Sequence, residues 1–135
     1  MPNIRELIKK QKTFYQSIVS IFCPLLNETV HFTGDGFYHL LHKSSGKRRS
    51  VNEAYLKLMC LSKAHVIVKN ATRSVETRKS ERLVKGQQKT VVTYELVDST
   101  KRNTHIAVVI EKIGTGKLKF RSVKRIGNKR YNNTQ

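Results

Sequence analysis

Residues 89–126 read KTVVTYELVDSTKRNTHIAVVIEKIGTGKLKFRSVKRI, and this stretch decides the fold. Val92, Tyr94 and Leu96 fall on one face of the first run, and Ile106, Val108 and Ile110 on one face of the next. Alternation at period two marks half-buried β-strands. The pattern predicts strands near 78–85, 89–97, 103–112 and 117–126. The connections Gly86-Gln87-Gln88, Asp98 to Arg102 and Gly114-Thr115-Gly116 are short, and short turns join antiparallel neighbours.

Upstream, the period is helical. Ile4, Leu7, Ile8, Gln11, Tyr15, Ile18 and Phe22 follow three-four spacing, predicting a helix from Pro2 to about Phe22 that Pro24 stops. Thr29 to Phe32 is short and extended, and Thr33 caps a second helix reaching about His42. Lys43 to Arg49 is a small, polar, basic loop. Ser50-Val51-Asn52-Glu53 is a capping box that opens a third helix, with Val51, Ala54, Tyr55, Leu58 and Met59 as its apolar face. Ala64 to Asn70 reads as a short helix or extended turn, although Val66-Ile67-Val68 also suits a strand. Helices first and strands after predict an α+β domain, its helices packed on one face of an antiparallel sheet of about four strands. The other face of the sheet is then where function is expected.

Charge points to the partner. The 135 residues carry a net charge of +18, and residues 101–135 hold ten bases against one acid. Self-repulsion of that size opposes folding, which suggests a polyanionic partner. Lys117, Lys119, Arg121, Lys124 and Arg125 lie along the last strand with Ser122 among them, a pattern suited to a phosphate backbone. Cys23 and Cys60 lie in apolar surroundings without ligand spacing, so they read as buried thiols in a reducing, cytoplasmic setting. No apolar run approaches the ~20 residues needed to span a bilayer, so no membrane partner is expected. The acids are scattered and the histidines lack metal-ligand spacing, which argues against a metal or other cofactor. Gly114-Thr115-Gly116-Lys117 lacks the spacing of a phosphate loop and reads as a hairpin turn.

His39 precedes the cationic turn of Lys43, Lys47, Arg48 and Arg49. Metal-free RNA cleavage needs a base for the ribose 2′-OH, cations for the charge growing at phosphorus, and an acid for the 5′-oxygen. Histidine suits the proton work and arginine the phosphate. The candidate catalytic set is His39, Lys43, Arg48, Arg49 and Ser122; the candidate substrate contacts are His42, Thr93, Tyr94, His105, Lys119, Arg121 and Lys124. Blander readings stand beside these: His39 as a packed helix residue, Ser122 as a solvated strand residue, Tyr94 as core.

The order of these pieces resembles a known group. Phe32-Thr33-Gly34-Asp35-Gly36-Phe37-Tyr38-His39-Leu40-Leu41 is followed by the basic loop and the helix of Asn52–Leu61. Val92-Thr93-Tyr94, Val108-Val109-Ile110 and Phe120-Arg121-Ser122-Val123 come after it. Over roughly residues 30–125 this resembles the phage-associated branch of the barnase–EndoU–colicin–RelE-like (BECR) nucleases. The resemblance implies a metal-independent endoribonuclease, commonly a toxin, that leaves 2′,3′-cyclic phosphate ends. It implies a groove formed by a helix-borne histidine, loop cations and a closing-strand Ser/Thr, matched by His39, Lys43 or Arg48/Arg49, and Ser122. Thr93 and Tyr94 match a strand position near that groove. One domain is expected over 1–135: an N-terminal helix at 1–23, a nuclease-like core at 29–126 and a frayed basic tail at 127–135. RNA, with tRNA among the candidate classes, and an acidic antitoxin or immunity protein are the expected partners. A non-catalytic basic module binding RNA or DNA is the alternative.

Overall fold

The computed structural model describes residues 3–132. Helix α1 spans Ile4–Ile18, with the Asn3 side chain accepting the Arg5 backbone N–H at its start. Two short strands follow, β1 (Ser20–Cys23) and β2 (Glu28–His31), then helices α2 (Gly34–Leu41) and α3 (Val51–Asn70). A hairpin of β3 (Ala71–Val84) and β4 (Gln87–Asp98) leads to β5 (Ile106–Ile113), β6 (Leu118–Arg125) and the single-turn helix α4 (Asn128–Tyr131). The class is α+β, as expected.

The sheet differs from expectation in size and sense. It has six strands in the order β1-β2-β6-β5-β4-β3, and β2 runs parallel to β6. The two unexpected strands come from the segment assigned to the first helix and from the short extended segment after it. The first helix ends at Ile18, not Phe22, because Val19 takes a left-handed backbone (φ 62°) and reverses the chain. Ile21 and Cys23 can then pair with Val30 and Glu28. Branched residues on both sides of Val19 favour the strand once the helix is broken.

The third helix is longer than expected. Residues 64–70 complete its 20 residues, and the chain passes from Asn70 straight into β3. Ala64, Ile67 and Val68 are fully buried, so tertiary packing overrides the strand preference of a β-branched run. The capping box is present: Ser50 Oγ accepts the Glu53 N–H at 3.2 Å and donates to the Glu53 carboxylate at 3.2 Å. Lys85 and Gly86 both have positive φ, matching the two-residue hairpin turn that suits strand twist.

The core lies between helices and sheet. Leu58, Leu61, Ala64, Ile67 and Val68 of α3 meet Leu96, Val108, Ile110 and Val123 of the central strands. Tyr15, Phe32, Phe37 and Phe120 form an aromatic centre with ring centroids 5.0–5.8 Å apart. The Tyr15 hydroxyl donates to the Thr33 carbonyl at 2.6 Å, and burial raises its pKa. Gly36 sits against this centre. A Cβ there would lie 2.5 Å from the Phe120 carbonyl oxygen and 2.7 Å from the Tyr15 hydroxyl, so only glycine lets α2 approach β6 this closely.

The opposite face of the sheet is covered at one end. Residues 128–131, expected to fray, form α4, whose Tyr131 packs on Val75, Val97, Ala107 and Ile126; residues 133–135 of that expected tail lie outside the described residues. Arg130 and Lys124 reach the buried Glu95 carboxylate. Among the described residues, no helix is long and apolar enough to cross a membrane.

Candidate active site

The sheet splits beside β6, and the split creates the site. β2 pairs with Leu118 and Lys119 only, then leaves the sheet towards α2. From Phe120 onward, that edge of β6 faces helices in place of a strand. β6 also carries an irregularity: Phe120 faces Ile110 and Ser122 faces Val109, which leaves Arg121 with no cross-strand partner. Such bulges redirect side chains at a strand edge.

Lys57 of α3 fills the gap. Its Nζ donates to Ser122 Oγ at 3.1 Å and to the Val123 carbonyl at 3.2 Å. Half-burial, then the nearby Arg49 and Lys124 charges, push the Lys57 pKa down to about 8. Sequence reasoning missed this residue. Its signal was nevertheless present: Lys57 interrupts the apolar stripe of Ala54, Leu58, Leu61 and Ala64. A lysine on the buried stripe of a helix either snorkels or finds partners.

The basic loop folds onto the same edge. The Lys43 N–H donates to the Lys47 carbonyl, and the Arg49 N–H to the Leu41 carbonyl, both at 2.8 Å, closing a tight turn at the end of α2. Arg49 Nε donates to the His39 carbonyl at 3.2 Å, and its Nη1 lies 3.6 Å from Glu53. Arg121 Nη2 reaches Ser44 Oγ at 3.4 Å, tying the loop to β6. Lys43 and Arg48 are exposed and, among the described residues, have no carboxylate partner; their neighbour His42 is bridged to Arg48 through the backbone.

His39 lies three residues beyond Gly36, the residue of α2 that meets Phe120 of β6. The His39 ring is 3.3 Å from the Asp35 carboxylate through Nε2. The neutral tautomer that donates there leaves the Nδ1 lone pair available. Tyr38 is exposed, and His42 stacks on it with ring centroids 4.0 Å apart and planes 7° apart. Tyr38 lies on the side of α2 away from Gly36 and lines a hollow with Ile8, Lys12 and Gln16 of α1, so this stacked pair stands apart from the edge of β6.

Of the predicted site residues, Arg121 and Ser122 lie on this edge, Arg49 stands beside Lys57, and His39 is tied to Arg49 through its carbonyl. Arg48 instead lines a hollow with Ile4 and Ile8 of α1, and His42 and Lys43 stay on the loop after α2. The remaining candidates lie elsewhere. Thr93 sits in mid-sheet, between Arg78 of β3 and Glu111 of β5. Tyr94 packs against the main core. Lys119 lies opposite Glu111, and Lys124 is bound to Glu95 at 2.6 Å. His105 is at the far end of β5, held by Thr104 and Asn128.

The uncovered sheet face, where function was expected, is internally neutralised. Arg82 binds Glu111 through two hydrogen bonds of 3.2 and 3.1 Å, with Arg121 also 3.6 Å away. Arg130 and Lys124 neutralise Glu95, and Arg130 also reaches Glu76. Lys57 lies instead at the helix–sheet seam, and among the described residues Lys43, Lys47 and Arg48 of the basic loop have no carboxylate partner. Among the described residues, no group of three or more His, Cys, Asp or Glu is arranged to hold a metal ion. Comparison of the chain with protein-family models, curated proteins and solved structures finds no match.

Proposed function

We propose that this chain is a metal-independent endoribonuclease of the BECR type, acting as a toxin on cellular RNA. The observation that carries the reading is Lys57 donating to Ser122 on the open edge of β6, with the Arg49 charge beside it and Arg121 tied to the basic loop; His39 joins them through its carbonyl bond to Arg49. His39 Nδ1 takes the proton of the ribose 2′-OH, and the 2′-oxygen attacks phosphorus. Arg49 and Arg121 hold the charge that grows on the phosphoryl oxygens, and Ser122 orients one of them. Protonated Lys57 gives its proton to the departing 5′-oxygen, leaving a 2′,3′-cyclic phosphate. An acidic antitoxin covering the loop and β6 would find complementary charge there.

The test is incubation of wild type, His39→Ala and Lys57→Gln with total RNA and mixed tRNA in excess EDTA, followed by analysis of the new 3′ ends. Discrete fragments with cyclic phosphate ends are expected from wild type alone. Equal cleavage by His39→Ala would remove His39 from the mechanism. Intact RNA that all three proteins retard on a gel would instead support a non-catalytic binding module. The exposed cations Lys43, Lys47 and Arg48 favour that second reading, since they hold a phosphate backbone without needing any reaction.

A further inference from the structure

A second cationic cleft lies along the same seam. It has a volume of about 470 Å³ and is lined by Lys63, Arg102, His105, Ile106, Arg125 and Ile126. Ile106 and Ile126 are buried and form its floor. No carboxylate lines it, and Lys63, Arg102 and Arg125 have no acidic partner among the described residues. Arg125 and Ile126 also border the hollow of Glu76 and Glu95, but there Lys124 and Arg130 are the cations bound to the glutamates. His105 is a wall of the cleft and not a ligand, because Asn128 and Thr104 occupy both of its ring nitrogens.

The cleft adjoins the proposed reaction site at Arg125, across a hollow that Glu53 also lines. Arg125 lines both this cleft and the neighbouring hollow that contains Lys57, Cys60 and Val123. Lys57 and Lys63 lie six residues apart on α3, or about 9 Å along the helix axis. Six residues also turn α3 by about 240°, so it is Arg125, shared by both hollows, that would lead a single-stranded chain from Lys57 to Lys63 and Arg102.

We infer that the Lys63–Arg102–Arg125 cleft binds a backbone phosphate of single-stranded RNA, one or more nucleotides from the phosphate held at Ser122. The inference rests on the ribonuclease reading only for the second phosphate's position. Unpaired cations over an apolar floor fit a phosphodiester and its sugar, and carry no base specificity.

The experiment is a salt titration of binding, read by fluorescence anisotropy, with a fully 2′-O-methylated RNA 12-mer that cannot be cleaved. Lys63→Gln/Arg102→Gln is expected to weaken binding to every sequence. It should also make the slope of log K against log salt shallower by about 1 for each cation that meets a phosphate. Lys101→Gln, which removes an exposed neighbouring charge outside the cleft, is expected to leave the slope near wild type. Thermal melts and Arg125→Gln, a separate surface change, guard against a folding defect. An unchanged slope in the double variant and in Arg125→Gln would overturn the inference. So would an equal loss with Lys101→Gln, or competition by polyaspartate as strong as that by RNA at equal charge. Because cleavage is not read, failure of the catalytic reading leaves this result intact.

Discussion

Lys57 Nζ on α3 lies 3.1 Å from Ser122 Oγ on β6, joining residues 65 positions apart. The contact exists because β2 leaves β6 after Lys119 and exposes a strand edge that would otherwise be paired. It places a half-buried ammonium group, with a pKa lowered to about 8, against the hydroxyl that faces the proposed scissile phosphate.

If Lys57 is the general acid, activity requires its protonated form. The pH profile of kcat/KM for RNA cleavage should then fall on the alkaline side with a limb near pH 8. In Lys57→Arg, whose side chain stays charged across the range, that limb should disappear whatever the residual rate. A wild-type rate that stays flat to pH 10 would remove Lys57 from proton transfer.

The same lysine should oppose folding at neutral pH. Its folded pKa, about 8, lies below the ordinary 10.5 because burial, Arg49 and Lys124 disfavour the charge. Between those two values the unfolded chain binds more protons, so stability rises with pH across that window. Lys57→Met should therefore gain stability relative to wild type at pH 7, and the gain should shrink by pH 10. Paired urea melts at the two pH values measure it. A gain that grows with pH would contradict the assignment.

Gly36→Ala should destabilise the protein by about 3 kcal/mol through overpacking. The added methyl would lie 2.5 Å from a backbone oxygen of β6, which cannot rotate aside. Thermal or urea melts report the loss. The displacement of α2 should also lower RNA cleavage beyond the stability effect, since His39 and Arg49 move with the helix. Ala tolerated within a few tenths of a kcal/mol would mean that α2 packs more loosely than described.

Burial alone would raise the Glu95 carboxyl, but hydrogen bonds from Lys124 and Arg130 outweigh it and hold the pKa below the ordinary value of 4.5. The stability this contributes is present above the unfolded value and lost as pH falls through the folded one. Lys124→Met/Arg130→Met should leave a buried carboxylate without its partners and cost about 3–5 kcal/mol at pH 7. At pH 3, with the carboxyl protonated in the variant, the difference from wild type should be smaller. Denaturant melts at both pH values check this, and an equal cost at both would locate the effect outside the ion pairs.

By itself the sequence determined the class and the charge. Period-two alternation placed the apolar faces of β4 and β5, the capping box placed the start of α3, and residue types fixed an excess of cations. These signals are local, because side-chain direction follows from backbone geometry within one element. The tertiary structure alone decided three other things. It made two strands and a reversal of residues 19–31, where the positive φ of Val19 and Asn27 outweighs helical spacing. It paired the cations near Glu95 and Glu111, and Arg49 with Glu53, and left Lys43, Lys47, Arg48, Lys63, Arg102 and Arg125 without a carboxylate partner among the described residues, a difference that composition does not contain. It also brought Lys57 to Ser122, because which strand edge stays open depends on the order of strands across the sheet, and that order is a property of the whole chain.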